Sequence, residues 1–467
     1  MRIYNTASRI IEEFRPLNPP TVTFYSCGPT VYDYTHIGHL RTYINNDILK
    51  RTLTQRGYTV KHVMNITDVG HLTGDDDSGE DKLEKGAKKA GKTVWEVAQF
   101  FTDYFQKTVT AVNILPSDHL VKATDHIPDM TALIQRIESK GYTYETEEAV
   151  YFDISKFKNY GKLSHQKLED KKTGFREEVR VDPSKKNPAD FALWFKRVGR
   201  FANHSMHWPS AWGEGFPGWH IECSAMSMKY LGETIDIHSG GVDHIPVHHE
   251  NEIAQSEAAT EKPFVRVWFH NNFLLVESEK MSKSLGNIIT LDDLSSKNID
   301  PLALRYLFLQ THYRQLQNFT WESISAAQQT YNRLNDIVLQ LRKQSNRANL
   351  SEEKLQKVSD FKKKFDSALA ADFQTPQAVA VVWEMLKSNI PSVDKLDLLY
   401  EFDQVLGLKL REIEEVEIPE EIINLAKKRL QARNSKDFDE SDRMRAEIEK
   451  KGYIIEDVDD VYRIKKK

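Results

Sequence analysis

The sequence predicts an α/β chain in which a parallel sheet is split by an insertion and followed by a helical bundle and a small C-terminal α+β unit. Three observations carry this. Thr21 to Tyr25 is a β-branched and aromatic run after Pro19-Pro20, and a Gly/Pro turn then leads to Leu40, Ile44 and Ile48 at four-residue spacing. Strand, turn and amphipathic helix in that order make the first crossover of a doubly wound sheet. A second strand follows at Thr59 to Asp68, the alternation lapses from about Leu115 to Val198, and it resumes near Trp212. Beyond Lys283 the periodicity turns helical.

At 467 residues the chain exceeds one compact core and is expected to form two or three domains. With 40% hydrophobic and 28% charged residues it can bury sizeable cores, and no apolar run approaches membrane-spanning length. Met1 to Asn5 lacks the apolar segment of a leader, which predicts a cytoplasmic chain. A net charge of −5 argues against a general nucleic-acid binder while leaving room for a local basic track.

Taken in order, Ser26 to His39 joins a cysteine to a helix start. A helix N-terminus attracts phosphate, and His36 and His39, three apart, face one side where they can hold phosphate oxygens. Gly38 between them leaves the backbone open to a flat adenine or ribose. Thr67 stands at the functional end of the second strand, and Val69 to Lys82, with three consecutive aspartates, reads as a solvated loop. Residues 83–112 are predicted helical, burying Trp95, Val97, Phe100, Phe101 and Phe105. In the insertion, Ala149 to Asp153 and Asn187 to Trp194 read as short mixed segments, with Phe191 and Trp194 packed.

The strand Thr234 to His238 ends in Ser239-Gly240-Gly241-Val242-Asp243. Such a Gly-Gly turn permits close approach of a ribose, whose hydroxyls Asp243 can accept. Lys280-Met281-Ser282-Lys283-Ser284 offers two lysines and two hydroxyls in a polar loop, suited to a clamp on β- and γ-phosphates. The two cysteines, Cys27 and Cys223, could form a disulfide, but a cytosolic thiol pair is more often metal-binding or catalytic. His248 and Glu252, four apart on one helix face, complete a plausible zinc set with the two thiolates.

His36-Ile37-Gly38-His39 with Lys280 to Ser284 resembles the two signatures of class I aminoacyl-tRNA synthetases, which are built on a split Rossmann domain. Cys27 to Asp33, Gly218 to Ser224, Asp236 to Gly241, His248 to Gln255 and Lys280 to Asn287 narrow the resemblance to the cysteinyl-tRNA synthetases. The resemblance implies one zinc ion held by Cys27, Cys223, His248 and Glu252, with the substrate cysteine's thiolate added to it. It implies catalysis by His36, His39, Lys280 and Lys283, with ATP, accompanied by Mg2+, on Gly38, Gly241, Asp243 and Lys283. The cysteine pocket would be lined by Gly28, Thr67, Trp219 and His238; for Trp219 and His238 core packing is the plain alternative. The loop 69–82 departs from the family pattern, which leaves the geometry beside Thr67 open.

The implied domains are 1–114 and 199–290 for the two Rossmann halves and 115–198 for the inserted connective domain. A stem-contact region and bundle would occupy 291–417, and an anticodon-binding region 418–467. By itself the bundle reads as a structural or dimerisation module, and its place after the lysine signature suggests tRNA docking instead. In the last segment Lys427, Lys428, Arg429, Arg433 and Lys436 occur without an intervening acid, suiting phosphate contacts. The expected reaction ligates L-cysteine to tRNA(Cys) through cysteinyl-adenylate in a monomer. Two alternatives stay open: a cysteine ligase acting on an amino sugar, against which the C-terminal segment counts, and a non-catalytic tRNA-binding relative, against which the intact histidines and lysines count.

Overall fold

The computed structural model describes residues 1–70, 72, 81–166, 184–282, 285–344, 347, 349–415, 418–458 and 461–466. Two short strands, β1 (Arg2–Asn5) and β2 (Ile10–Glu13), pair antiparallel at the start. The repeating unit then begins with β3 (Thr21–Ser26), α1 (Ile37–Gln55) and β4 (Thr59–Ile66). It continues through α2 (Lys82–Ala90), α3 (Val94–Ala111) and β5 (His119–Lys122). Next come α4 (Ile127–Ser139) and four strands, β6 (Thr143–Glu145), β7 (Ala149–Phe152), β8 (Phe191–Lys196) and β9 (Gly215–Pro217). These four form an antiparallel sheet of their own, in the order β6-β7-β8-β9.

The first sheet resumes with α5 (Trp219–Leu231), β10 (Ile235–Gly241), α6 (His248–Thr260) and β11 (Val265–Asn271). Its five strands are all parallel, in the order β11-β10-β3-β4-β5. From β3 the chain winds one way to β4 and β5 and later returns on the other side to β10 and β11. The crevice between the carboxyl ends of β3 and β10 is therefore the switch point, where such sheets bind ligands. Asp236 of β10 locks the seam: its Oδ2 accepts from Thr23 N and Oγ1, both at 2.9 Å, and its Oδ1 from Leu17 N at 2.6 Å.

Two expectations need correction. The insertion predicted at 115–198 starts and ends later: β5 pairs in parallel with β4 and belongs to the main sheet, while β9 extends the inserted sheet to Pro217. A four-residue strand carries too little pattern to be assigned to either sheet from sequence. The helix expected over 83–112 is broken at Gly91, left-handed at φ 62, and restarts with Thr93 and Glu96 as a capping box. Val94, Val97, Ala98 and Phe105 form its buried stripe, whereas Trp95 is 51% and Phe100 44% exposed. At 100° per residue, positions 95 and 100 fall on opposite sides of that stripe.

Beyond the sheet lie β12 (Leu274–Val276), β13 (Glu279–Lys280), α7 (Leu291–Ser296), α8 (Pro301–Leu309) and β14 (Gln317–Phe319). The bundle follows as α9 (Trp321–Arg342), α10 (Glu352–Ala370), α11 (Thr375–Lys387) and α12 (Ser392–Leu406). Leu40, Ile44 and Ile48 of α1 are buried as predicted, in one apolar cluster with α8 and the bundle. The last unit, α13 (Glu420–Asn434), α14 (Phe438–Lys450) and the hairpin β15 (Tyr453–Val458) and β16 (Val461–Lys466), has a core of Ile422, Ala426, Ile448 and Ile455. Arg429 is buried in this unit and withdrawn from any phosphate-binding surface.

Arg305 of α8 joins the bundle to the sheet. Its Nη2 meets Asp47 Oδ2 of α1 at 2.5 Å, its Nε donates to Leu406 O at 2.6 Å, and its Nη1 donates to Val112 O and Asn113 O at 3.1 Å. Both side chains are buried, so removing Arg305 takes from Asp47 one of its two guanidinium partners, the other being Arg51, and takes this donor from Leu406 O and Val112 O. Arg305→Ala should lower unfolding stability by about 3–5 kcal/mol. Chemical denaturation checks this, and a loss below about 1 kcal/mol would refute the pairing argument.

Asp81 caps α2 through Glu84 N at 2.9 Å and meets the buried His204 Nε2 at 3.2 Å. Gly70 makes room for the pair, since a Cβ there would lie 2.5 Å from His204 Cε1. Burial alone would lower the His204 pKa, but the Asp81 hydrogen bond and charge override it and hold it above its ordinary 6.5. A raised folded-state value means the pair stabilises fully below about pH 6.5 and loses that contribution as pH rises through the folded value. The stability gap between wild type and His204→Gln should therefore shrink between pH 6 and pH 8.5 in thermal melts. A gap that widened would overturn the assignment.

Candidate functional site

β3 ends at Ser26, and Cys27 N donates to Ser239 O of β10 at 3.1 Å, which fixes the cysteine at the switch point. Gly28 follows because nothing larger fits: a Cβ there would lie 1.7 Å from Asn65 O. Its N–H donates to Asn65 Oδ1 at 2.8 Å. Asn65 in turn donates to Thr67 Oγ1 at 3.1 Å, and Thr67 donates to the buried Glu222 Oε2 at 2.7 Å. A cleft of about 1500 Å3 opens over these strand ends, and Cys27, Gly28, Thr67, Trp219, Cys223 and His248 are among its lining residues.

At the floor, Cys27, Cys223, His248 and Glu252 are all buried and bring one ligand atom each within 4.8 Å of one another. Burial, followed by Cys223 and Glu252 nearby, pushes the Cys27 thiol well above its ordinary value. Glu252 Oε1 is buried without a hydrogen bond, 3.1 Å from His248 Nε2. His248 Nδ1 lies 2.9 Å from His220 Nδ1, and Trp219 stacks on the His248 ring at 4.2 Å. When His248 Nδ1–H donates to His220, its Nε2 lone pair faces the carboxylate. Two acceptors turned toward each other beside two thiols form a donor set that a zinc-like cation satisfies.

A second, overlapping group consists of Cys27, His238, His249 and Glu252. Here His238 Nε2 is engaged with Glu252 Oε2 at 2.8 Å and His249 Nδ1 with His270 Nε2 at 2.7 Å. His270 Nδ1 continues to Thr6 Oγ1 at 2.8 Å. His249 and His270 are both held neutral, first by burial and then by neighbouring histidines. Neither His238 nor His249 is among the cleft-lining residues, whereas Cys27, Cys223 and His248 are, so the first group is the better substrate-facing set. His238, expected in the cysteine pocket, instead stands behind Glu252. Sequence reasoning missed His249 and His270; only the three-residue spacing of His249 from Glu252 pointed to a shared face.

At the rim, His36 caps α1. His39 N donates to His36 Nδ1 at 3.4 Å, His36 N donates to His39 Nδ1 at 3.5 Å, and the rings stack 3.6 Å apart. With Nδ1 accepting, the neutral rings carry their protons on Nε2. The His39 ring is accessible from the cleft, but the surrounding walls desolvate it and, with His36 and His244, hold its pKa well below the ordinary value. The space above Gly38, expected to admit adenine or ribose, is taken by Met281, whose Cε lies 2.4 Å from where a Cβ would stand. Gly241 leaves room for Asp243 to fold back, since a Cβ there would meet its Oδ1 at 2.2 Å.

Lys280 pairs in β13 opposite Leu275, with its Nζ 5.2 Å from the Phe273 ring centre, and is not among the residues lining the cleft. Met281 and Ser282 do line it. Asn287 ties the turn by accepting from Ser282 N at 2.9 Å and donating to Lys280 O at 3.2 Å. Lys283 and the acidic loop at 75–80 lie outside the described residues.

A family model described as tRNA synthetases class I (C) catalytic domain matches residues 13–329. "Cysteine--tRNA ligase" of Treponema denticola is 44% identical over 98% of this chain and 98% of that protein. "Cysteine--tRNA ligase 1" of Burkholderia lata is 42% identical over 99% of this chain and 96% of that protein. "Cysteine--tRNA ligase" of Caldicellulosiruptor saccharolyticus is 44% identical over 98% of this chain and 98% of that protein. Among solved structures, Mycobacterium tuberculosis methionyl-tRNA synthetase in complex with methionyl-adenylate superposes with a TM-score of 0.56 at 16% identity. That match covers 83% of this chain and 90% of that one and speaks to the fold alone. On the strength of the matched catalytic domain and the end-to-end relatives, the chain belongs to the cysteine–tRNA ligase family of class I aminoacyl-tRNA synthetases.

Proposed function

We propose that the chain ligates L-cysteine to tRNA(Cys) through cysteinyl-adenylate, with a zinc ion on Cys27, Cys223, His248 and Glu252 selecting the thiol. The observation that carries this reading is the buried S, S, N, O donor cluster at the floor of a cleft whose rim bears His36 and His39. Zinc bound there supplies affinity for a soft thiolate over an alcohol. A purely steric pocket separates neighbours such as cysteine and serine by only about 1–3 kcal/mol.

The chain's own residues supply the rest. Thr67 and Trp219 flank the floor where the amino acid would sit. Asp243, folded back beside Gly241 at the end of β10, accepts from ribose hydroxyls. The Nε2–H groups of His36 and His39, at the N-terminus of α1, stabilise the charge that develops on phosphate as the cysteine carboxylate attacks the α-phosphorus and pyrophosphate leaves. Lys280 and Lys283 would close on the β- and γ-phosphates with Mg2+, which requires Lys280 to swing in from Phe273. No general base is needed, because the attacking carboxylate is already ionised. In the second step a hydroxyl of the terminal adenosine takes the cysteinyl group and AMP departs. Glu252, whose Oε2 is engaged by His238, would hold the ion through its Oε1.

The purified protein should catalyse cysteine-dependent, serine-independent ATP–pyrophosphate exchange and then charge unfractionated tRNA with cysteine. Absence of cysteine-dependent exchange would overturn the ligase reading. Charging without tRNA(Cys) preference would overturn the partner assignment.

Cys27→Ser replaces a soft thiolate by a poorly ionised alcohol, so zinc measured by mass spectrometry should fall well below one per chain. The cysteine KM in exchange should rise on the order of a hundredfold or more, and discrimination against serine should collapse. The ATP KM should stay within about threefold, since the nucleotide contacts lie at the rim. Full zinc content with unchanged cysteine preference would remove Cys27 from the ligand set.

A further inference from the structure

The floor of the cleft rests on a row of side chains two residues deeper than Cys27. Val63, Tyr25, His238 and Trp268 pair side by side across β4, β3, β10 and β11, so they share one face of the parallel sheet. On that face Tyr25 enters the same buried cluster as Cys27 and Cys223, and α5, which carries Cys223, packs on β3. The Tyr25 ring is held edge-on by His238, with ring centres 5.1 Å apart and planes at 72°. Its hydroxyl is buried and forms no hydrogen bond of good geometry among the described residues. Burial, then Cys223, Cys27 and Glu252, push the phenol well above its ordinary value, so the hydroxyl faces the ligand group as a permanent donor.

Three of the four floor ligands already have an outer partner. Cys27 Sγ has His249 Nε2 at 3.4 Å, His248 Nδ1 has His220 Nδ1 at 2.9 Å, and Glu252 Oε2 has His238 Nε2 at 2.8 Å. Cys223 is the fourth ligand, and the Tyr25 hydroxyl is the donor left over beside it. We propose that Tyr25 is a positioning residue of the metal site, its hydroxyl donating a hydrogen bond to the Cys223 sulfur once an ion has taken the place of the thiol proton. The inference rests on the zinc reading above and deepens it.

A thiol is a weak acceptor and leaves a buried hydroxyl poorly satisfied, whereas a thiolate on a metal accepts readily. Coordination deprotonates the thiol, and its proton leaves to solvent. Two thiolates and a carboxylate outweigh a divalent ion, so the loaded site is net negative in a buried floor. A neutral donor on one sulfur spreads that charge without adding another. Phenylalanine would fill the same space with no polar atom to desolvate, so a hydroxyl at this depth requires a partner.

The test uses the full-length protein loaded with zinc or, by replacement, with cobalt. Tyr25→Phe removes the hydroxyl and keeps the ring, and Tyr331→Phe, which removes a tyrosine hydroxyl bonded to Leu408 O in the bundle, is the control. Competition with a chelator should show zinc affinity lowered about ten- to a hundredfold in Tyr25→Phe. Its sulfur-to-cobalt charge-transfer band should move to longer wavelength, because a thiolate relieved of a hydrogen bond gives up an electron more easily. Tyr331→Phe should match wild type in both measurements. An unmoved band would overturn the proposal whatever the zinc affinity, since a packing defect alone leaves the sulfur's electrons unchanged. Failure of Tyr25→Phe to fold would overturn it too, because the hydroxyl would then serve the fold rather than the metal. A wild type that holds neither zinc nor cobalt would sink the metal reading and the proposal with it, a failure told apart because it needs no variant to appear.

Discussion

The position of the rim histidines depends on a buried charge pair some three turns down the same helix. Asp47 of α1 accepts from Arg305, Arg51 and Leu115 N, at 2.5, 2.7 and 2.9 Å. Arg305 carries the contact on into the bundle. A buried carboxylate shared by two guanidinium groups is stable only when all partners are present, so the pair couples sheet and bundle rigidly. Arg41, six residues earlier, spends its guanidinium on four backbone carbonyls, those of Asn272, Phe273, His312 and Gln315, and on Gln317 Oε1. Two buried cations, one contributed by α1 and one received by it, thus hold the helix against the segment that leads into and out of β13. That segment carries Lys280, and Ile37 N of α1 donates to Ile289 O just beyond it. α1 is therefore tied to the chain on both sides of Lys280, at Asn272 and Phe273 and at Ile289, although about 240 residues of sequence separate them.

The floor of the cleft obeys a different constraint. Six histidines, His220, His238, His244, His248, His249 and His270, cluster around the ligand group in a chain of ring contacts. Burial, and then neighbouring histidines, push His249 and His270 well below the ordinary imidazole range. Neutral rings also serve orientation. Each has one donor and one acceptor nitrogen, and the links from Thr6 through His270 to His249 fix which edge faces Cys27 Sγ at 3.4 Å. A cation placed among Cys27, Cys223, His248 and Glu252 would meet donors whose aim is set by partners deeper in the protein.

How much of this was legible in the sequence follows from the range of the interactions. The strand, turn and helix from Thr21 to Ile48 were readable because turn residues and four-residue spacing are local signals. The ligand quartet was readable because cysteine is scarce in this chain, which has two, and because His248 and Glu252 sit one helical turn apart. Asn65, Glu222 and His270 were not, since their roles come from partners 21 to 155 residues away that only the folded sheet brings near. Asp47, Arg41 and Arg305 lie on helices whose apolar spacing is ordinary, and nothing in that spacing marks a buried charge. Trp95 and Phe100 failed in the opposite sense: their apolar character suggested burial, and only the phase of α3 shows that they face outward.

Floor and rim share one cleft but not one support. Selecting a thiol requires donors fixed to within a few tenths of an ångström, and the histidine layer supplies that rigidity through burial and saturated hydrogen bonding. The fold separates floor from rim by where the elements come from. Floor residues sit on β3, α5 and α6, packed between the parallel sheet and the inserted sheet, whereas the rim histidines stand at the start of α1, which Asp47 and Arg305 brace against the bundle.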